Sequence, residues 1–559
     1  MDKRTALAFV LIFLIILLWP FYQQIMMPPP PSEPIVPDEE ISGKTIEPEV
    51  EKEQATVDKP KIKIEEIQIE KEKLIKVDTD LYTGVISTRG GTIKNWVLKE
   101  YKKKDDSQLD LIKDQTAENL GIGFITIDGD SFNLSKRSFE PVGIDIEDST
   151  YLNFDELGKA ELHLICRIDY DKYVEKTMIF EKDKYPFKMD VRFVGLDNFI
   201  ADREYWVSWG CGLSSSESKL GNEMKYSKIY AMMGDEVESL DPKDPEGKTV
   251  LLTGETRWIA VSIKYFAGAI IPENFYGKEA LISGRVKRVE KELIDKDFYG
   301  VIKAEFSEEE VHQDSYKIFI GPLEYPMISG FNVGLQKIMG LGWGPLRPIS
   351  KLIYHTLRFL YSFIGNYGVV IIIFSIIIKI LFFPLTRSSY LSMKKMQSLQ
   401  PLIAELREKY KKDPQKLNKA TMRLYKEQGV NPLGGCLPLL LQMPVFIAMY
   451  PLFYQMIEFR GAKFIWWIKD LSSPDTVAKL NLGLIDWNLN ILPIIWVVSM
   501  YIQNRLTMKD PKQKMMVYLM PIMMLIFFNN LFSSGLVLYW TVFNILTMFQ
   551  QFSIQRKSK

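Results

Sequence analysis

Apolar and polar positions follow three patterns in succession. From Leu74 to about Tyr325 they alternate with period two: KLIKVDTDLYTGVISTRGGTIKNWVL, YVEKTMIFEKDKYPFKMDVRFVG and RWIAVSIKYFAGAIIP are rich in β-branched and aromatic residues and are bounded by Gly, Asp and Pro turns. This predicts an all-β domain over 74–326, a β-sandwich by size. Arg89-Gly90-Gly91 reads as a turn between strands. From Met327 to Gly365, Lys351, His355 and Arg358 lie among Ile349, Leu352, Ile353, Leu357, Phe359 and Leu360. This is an amphipathic region over 327–366, suited to a membrane interface or to packing beside a span.

After that the apolar runs become continuous. YGVVIIIFSIIIKILFFP (Tyr367 to Pro384) is long enough to cross a bilayer, and four more stretches follow: Leu437 to Gln455, Leu489 to Gln503, Met515 to Phe532 and Ser533 to Gln551. The Leu489 stretch falls short of the roughly 20 residues a straight crossing prefers, which implies local thinning or extension at its ends. At the start of the chain, Lys3 and Arg4 precede an apolar run from Ala6 to Trp19, with no small-residue cleavage site after it. It reads as an uncleaved signal anchor over 1–24. Six prolines between Pro28 and Pro37 and a Glu/Lys-rich stretch to Lys73 make 25–73 a disordered tether. The expected spans are therefore six: 1–24, 367–386, 431–456, 489–507, 515–532 and 533–552.

Between the second and third spans, Ser392, Met396, Leu399, Ile403, Leu406 and Tyr410 recur at four- and three-residue spacing, and Leu417, Thr421 and Leu424 continue it beyond Asp413-Pro414. Two helices packed along a seam are expected over 387–430. Their outer face, with Lys394, Lys395, Arg407, Lys411 and Lys412, either solvates the hairpin or docks anionic phospholipids, a ribosome or a targeting factor.

The zero net charge conceals an asymmetry. Residues 1–345 hold 44 Lys+Arg and 61 Asp+Glu, whereas residues 346–559 hold 26 and 9. An acidic polar part joined to a basic apolar part describes a water-soluble domain on a membrane domain. The basic residues of 387–430, of Arg505 to Lys514 and of the 553–559 tail mark the cytoplasmic side, while the 457–488 loop carries four charges of each sign. Six spans with both termini inside place the β domain outside the cytoplasm.

Cys166, Cys211 and Cys436 are too few and scattered for a disulfide framework or a zinc site, and pairing of Cys166 with Cys211 stays open. His163, His312 and His355 have no ligand spacing. Phosphate-binding glycine loops, nucleophile elbows and paired His motifs are missing. The pattern argues against ordinary enzyme chemistry and implies no cofactor or metal.

The informative residues are the polar ones in the apolar runs. An ammonium near mid-bilayer costs roughly 2.5–3.5 kcal/mol on insertion-based scales, so Lys379 either snorkels to headgroups or faces a wet cavity. Ser375, one turn earlier, shares its face. Gln442, Ser499, Gln503, Asn504, Thr541, Asn544 and Thr547 are scattered through the other runs as glue or groove lining. None of the apolar runs contains a carboxylate, which disfavours a cation-coupled transporter and leaves Lys379 to attract an anionic visitor.

NPLGGCLPLLLQMPVFIAMY (Asn431 to Tyr450), FFPLT (Phe382 to Thr386) and SSGLVLYW (Ser533 to Trp540) resemble the YidC/Oxa/Alb membrane protein insertases, and STRGG with RWIAVSIKYF resembles the periplasmic domain of the Gram-negative form. The resemblance implies a five-helix core enclosing a hydrophilic groove open to cytoplasm and lipid. It implies an inner-membrane insertase and chaperone without a chemical reaction, with nascent inner-membrane clients, the Sec translocon and the ribosome or signal recognition particle pathway as partners, and no nucleic-acid substrate. Lys379, Ser375, Gln442, Tyr539, Trp540 and Asn544 fall where such a groove would hold clients. Lys379 stands where the family usually has arginine, which keeps the charge and loses the planar five-donor fork. A solute transporter built on Lys379 and a membrane-anchored scaffold acting through the β domain are the competing readings.

Overall fold

The computed structural model describes residues 71–144, 149–217, 223–288, 294–342, 344–411, 413–430, 437–481, 486–507, 514–529 and 531–556. The expected signal anchor and tether lie outside the described residues, apart from the last three tether positions.

The period-two stretch folds into strands. A five-stranded sheet holds Leu74–Asp78, Tyr82–Ser87, Thr92–Lys102, Gln108–Asp110 and Ser149–Tyr151, and a fourteen-stranded sheet takes most of the remainder to Val311–Pro322. Alternation is followed closely: along Phe187–Val194, Phe187, Met189, Val191 and Phe193 are buried and the residues between them are not. The two sheets meet through Trp96, whose indole N–H donates to the Ile320 carbonyl at 3.1 Å while its ring stacks on Tyr82 at 4.0 Å and Phe187 at 5.5 Å. A Cβ at Gly84 would lie 2.8 Å from that indole, so the close stacking requires glycine.

One inward position breaks the pattern. Lys176 is fully buried in Tyr173–Glu181, and its Nζ donates to the carbonyls of Gly90 at 2.7 Å, Gly91 at 3.1 Å and Leu120 at 2.6 Å. The Arg89-Gly90-Gly91 turn, with φ of +71° and +56° at its glycines, is thus tied to the sheet by a buried ammonium. Cys166 and Cys211 are both buried and unpaired, which closes the question of their disulfide; burial pushes the Cys166 thiol up to about 12.

The amphipathic region forms the helix Arg347–Ile364, burying Ser350, Ile353, Tyr354 and Leu357 and exposing Leu352, Phe359 and Phe363. Gly365 ends it in the left-handed conformation, and the Asn366 side chain accepts from Val369 N–H to start the next helix, Tyr367–Leu381. An unbroken helix over 367–386 does not form. The chain bends by 65° between Tyr367–Leu381 and Phe383–Ser398, because Pro384 in the first turn of the second helix has no N–H and its ring excludes the carbonyl four residues back. Among the described residues no single helix is long and apolar enough to cross a membrane, and only this bent pair meets the length and composition together.

The 387–430 segment gives three helices rather than the expected two: Ser392 and Met396 belong to Phe383–Ser398, and Gln400–Lys409 and Pro414–Glu427 follow, joined at Asp413, which caps the last by accepting from Lys416 N–H at 3.0 Å. Leu399, Ile403 and Val430 form their seam. The remaining long helices among the described residues are Leu437–Gln455, Ile491–Thr507, Lys514–Phe528 and Ser534–Arg556, with a two-stranded hairpin, Thr476–Asn481 and Asp486–Asn490, before the second of them.

Candidate functional site

Lys379 lies in the last turn of Tyr367–Leu381, where unsatisfied helix carbonyls favour a cation. Its side chain is buried, and Nζ donates to Thr547 Oγ1 at 2.7 Å. The faces of Phe543 and Tyr390 lie 4.8 and 5.8 Å from the nitrogen, within the range of cation–π attraction. Among the described residues no carboxylate pairs with it. The snorkelling alternative does not hold: the ammonium turns inward to a neighbouring helix. Ser375 is fully buried one turn earlier, but its hydroxyl donates to Ile371 O of its own helix at 2.7 Å.

Thr547 belongs to Ser534–Arg556, which presents two faces. Tyr539, Phe543, Thr547 and Gln550, spaced four, four and three apart, face the bent pair. Tyr539 lies 6.1 Å ring to ring from Phe374, and Gln550 Nε2 donates to Thr386 Oγ1 at 3.1 Å. The Tyr390 hydroxyl lies beside Thr547 and Gln551, and the Gln442 amide lies beside the Tyr539 hydroxyl. The second face points elsewhere. Trp540 packs against Phe446, Trp496 and Phe532 at 5.1, 5.2 and 5.1 Å, and Asn544 Nδ2 donates to Ser499 Oγ at 2.8 Å.

The six groove residues expected from sequence therefore divide. Lys379, Ser375, Tyr539 and Gln442 fall on one seam, while Trp540 and Asn544 serve the contact with Ile491–Thr507. Sequence reasoning left out Thr386, Tyr390, Gln550 and Gln551, and counted Thr547 only among scattered polar residues. The helical register from Tyr539 to Gln550 was the available signal. Of the expected docking residues, Lys394 and Lys395 lie in Phe383–Ser398 rather than in the helix pair that follows; Lys395 and Lys411 are exposed, Lys394 and Arg407 are half-buried, and Lys412 lies outside the described residues. Among the described residues no group of His, Cys, Asp and Glu is arranged to hold a metal.

These features define a two-part protein, a large all-β domain followed by an apolar helical region with a cation, Lys379, buried between two of its helices. Residues 74–356 match the family model described as the YidC periplasmic domain, and residues 359–559 match that described as 60Kd inner membrane protein. The chain is 34% identical over 502 residues to the membrane protein insertase YidC of Chlorobium luteolum, covering 87% of this chain and 83% of the relative. It is 32% identical over 576 residues to that of Prosthecochloris aestuarii, covering 100% and 95%. A crystal structure of active YidC insertase with the first transmembrane domain resolved aligns over 84% of this chain and 90% of that one, at 19% identity and a TM-score of 0.36. The chain belongs to the YidC family of membrane protein insertases.

Proposed function

We propose that this protein inserts inner-membrane proteins and assists their folding without a chemical step. The observation that carries the reading is Lys379, a buried ammonium whose only hydrogen-bond partner among the described residues is the neutral Thr547 hydroxyl. A client carboxylate that takes the place of that hydroxyl brings the opposite charge to a hydrogen bond whose donor is already ionised, so direct charge attraction is gained on the exchange. The client's short polar segment enters along the seam between the Lys379 helix and Ser534–Arg556, in a hydrophilic groove open to cytoplasm and lipid. Its apolar segment leaves along the same two helices. Contact with one point charge is weak enough to reverse, so the client departs.

In this reading the chain makes six spans with both termini cytoplasmic, the β domain is periplasmic, and the bent pair supplies one broken span. The basic hairpin around Lys394, Lys395, Arg407, Lys411 and Lys412 receives the ribosome or signal recognition particle pathway and anionic phospholipids. The protein acts alone or beside the Sec translocon.

The test is insertion of a single-spanning client with a short acidic tail into liposomes, read by protease protection. Protein-dependent protection that Lys379→Glu abolishes is the expected result. Equal protection in protein-free liposomes, or an undiminished Lys379→Glu variant, counts against the reading.

A further inference from the structure

The β domain and the helical region are joined by a compact ionic network far from Lys379. Arg460, just after the helix Leu437–Gln455, is nearly buried. Its Nε donates to Glu217 Oε1 at 2.9 Å, and its Nη2 donates to the carbonyls of Ser216 at 2.9 Å and Lys102 at 2.6 Å. Lys104 of the β domain reaches the other way, pairing with Asp470 and donating to Ser473 Oγ at 3.0 Å while standing 3.8 Å from Glu217. Two cations and two anions thus alternate across the junction. Glu217 is held in turn by the fully buried Glu223, which accepts from Ser216 N–H at 2.9 Å and Glu217 N–H at 3.2 Å.

The loop that Lys104 grips is the loop that caps the client-facing helix. Asp470 Oδ1 accepts from Gly461 N–H at 3.0 Å and Ser472 N–H at 2.9 Å, which fixes the loop's shape. The Asp470 carbonyl accepts from Ser534 Oγ at 2.8 Å, the Ser473 carbonyl from Ser534 N–H at 2.8 Å and the Leu471 carbonyl from Gly535 N–H at 3.0 Å. The first N–H groups of Ser534–Arg556 have no partner within their own helix, and here two of them are satisfied by a segment the β domain holds. Thr547 lies on the same rigid helix, about 20 Å further on at 1.5 Å per residue.

We propose that Lys104, Glu217, Arg460 and Asp470 form an ionic clamp through which the β domain positions the Ser534 end of the C-terminal helix, and with it the register of Thr547 against Lys379. Apolar contact alone would hold the two parts together without choosing one register, whereas alternating charges with directed donors accept one arrangement. The four are positioning residues. Their effect on insertion rests on the function proposed above, while the clamp itself rests on geometry.

The experiment uses full-length protein in liposomes, with two readouts: amide hydrogen exchange at Ser534 and Gly535, and client insertion. Lys104→Met is expected to raise exchange at both amides several-fold and to lower insertion, and Lys104→Arg is expected to restore both to near wild type. Because Lys104→Met leaves Asp470 unpaired, Lys104→Met with Asp470→Asn serves as the second variant. It removes the bridge without a stranded charge, keeps an acceptor for Gly461 and Ser472, and is expected to show the same two changes. Lys379→Met is the reference for the insertion reading: it is expected to lower insertion and leave exchange at 534–535 unchanged. Unchanged exchange in both clamp variants overturns the proposal, as does raised exchange with undiminished insertion. If wild type inserts nothing, the functional reading fails, and exchange in the clamp variants still decides whether the clamp exists.

Discussion

Lys379 and Thr547 are 168 residues apart in the chain, yet a 2.7 Å hydrogen bond joins them. The bond closes the seam between the two helices that the proposed path uses, and it gives a buried cation a neutral partner, the one that the proposed client carboxylate would displace.

Charge at position 379 is therefore expected to matter more than shape. Lys379→Arg should keep insertion within about twofold of wild type, while Lys379→Met should lose about tenfold or more on acidic-tailed clients, since a hydrogen bond to a charged group contributes about 1.5–3 kcal/mol. Neutral-tailed clients should change much less. Protease-protected yield for paired clients measures both, and equal losses on the two would argue against charge recruitment.

Thr547→Val keeps the volume and removes the acceptor. A destabilisation larger than the about 1–3 kcal/mol of an unsatisfied neutral group is expected from leaving the ammonium without its acceptor, with recovery in Thr547→Ser. Thermal unfolding in detergent would show it.

Trp540 tests the division of the site. Its ring packs in a cluster with Phe446, Trp496 and Phe532, and because it is half-buried, Trp540→Ala should cost stability by less than the about 3–5 kcal/mol of a fully buried Trp. Insertion should fall equally for acidic and neutral clients. A loss confined to acidic ones would return Trp540 to the charge-reading seam.

Burial pushes the Lys176 ammonium down to about 7. A lysine whose folded value lies below its unfolded value of about 10.4 leaves the unfolded chain holding more protons between the two. Stability should therefore rise with pH above about 7, by at most about 1.4 kcal/mol per unit, and fall as pH drops towards 7. The three carbonyl bonds to Nζ favour the charged form and reduce that slope. Denaturant unfolding between pH 7 and 9.5 should be flatter in Lys176→Met than in wild type.

Lys395 on Phe383–Ser398 and Lys411 just after Gln400–Lys409 are exposed, and each near a membrane surface contributes about 1 kcal/mol of attraction to anionic lipid. Changing both to Glu should weaken association of the full-length protein with anionic relative to neutral vesicles, an effect that disappears at high salt. Flotation assays at two ionic strengths would separate this from a merely solvating face.

Period two identified the all-β domain because a sheet with one face buried demands alternation. Continuous apolar runs identified the helical region, and Lys379 stood out because a charge in such a run is costly wherever it points. Long motifs carried the family. The partners of these residues were not legible. Lys176 occupies an inward position that alternation reserves for apolar side chains, and only the return of the Gly90-Gly91 turn and Leu120 supplies its acceptors. Tyr539 and Trp540 are neighbours in sequence, but about 100° separates successive side chains around a helix. One therefore turned to the Lys379 helix and the other to the Trp496 helix. The seat of Thr547 and the Lys104–Asp470 bridge depend on which distant segments pack together. Periodicity records which face of an element is buried and carries no record of what lies opposite it, so tertiary packing made that choice.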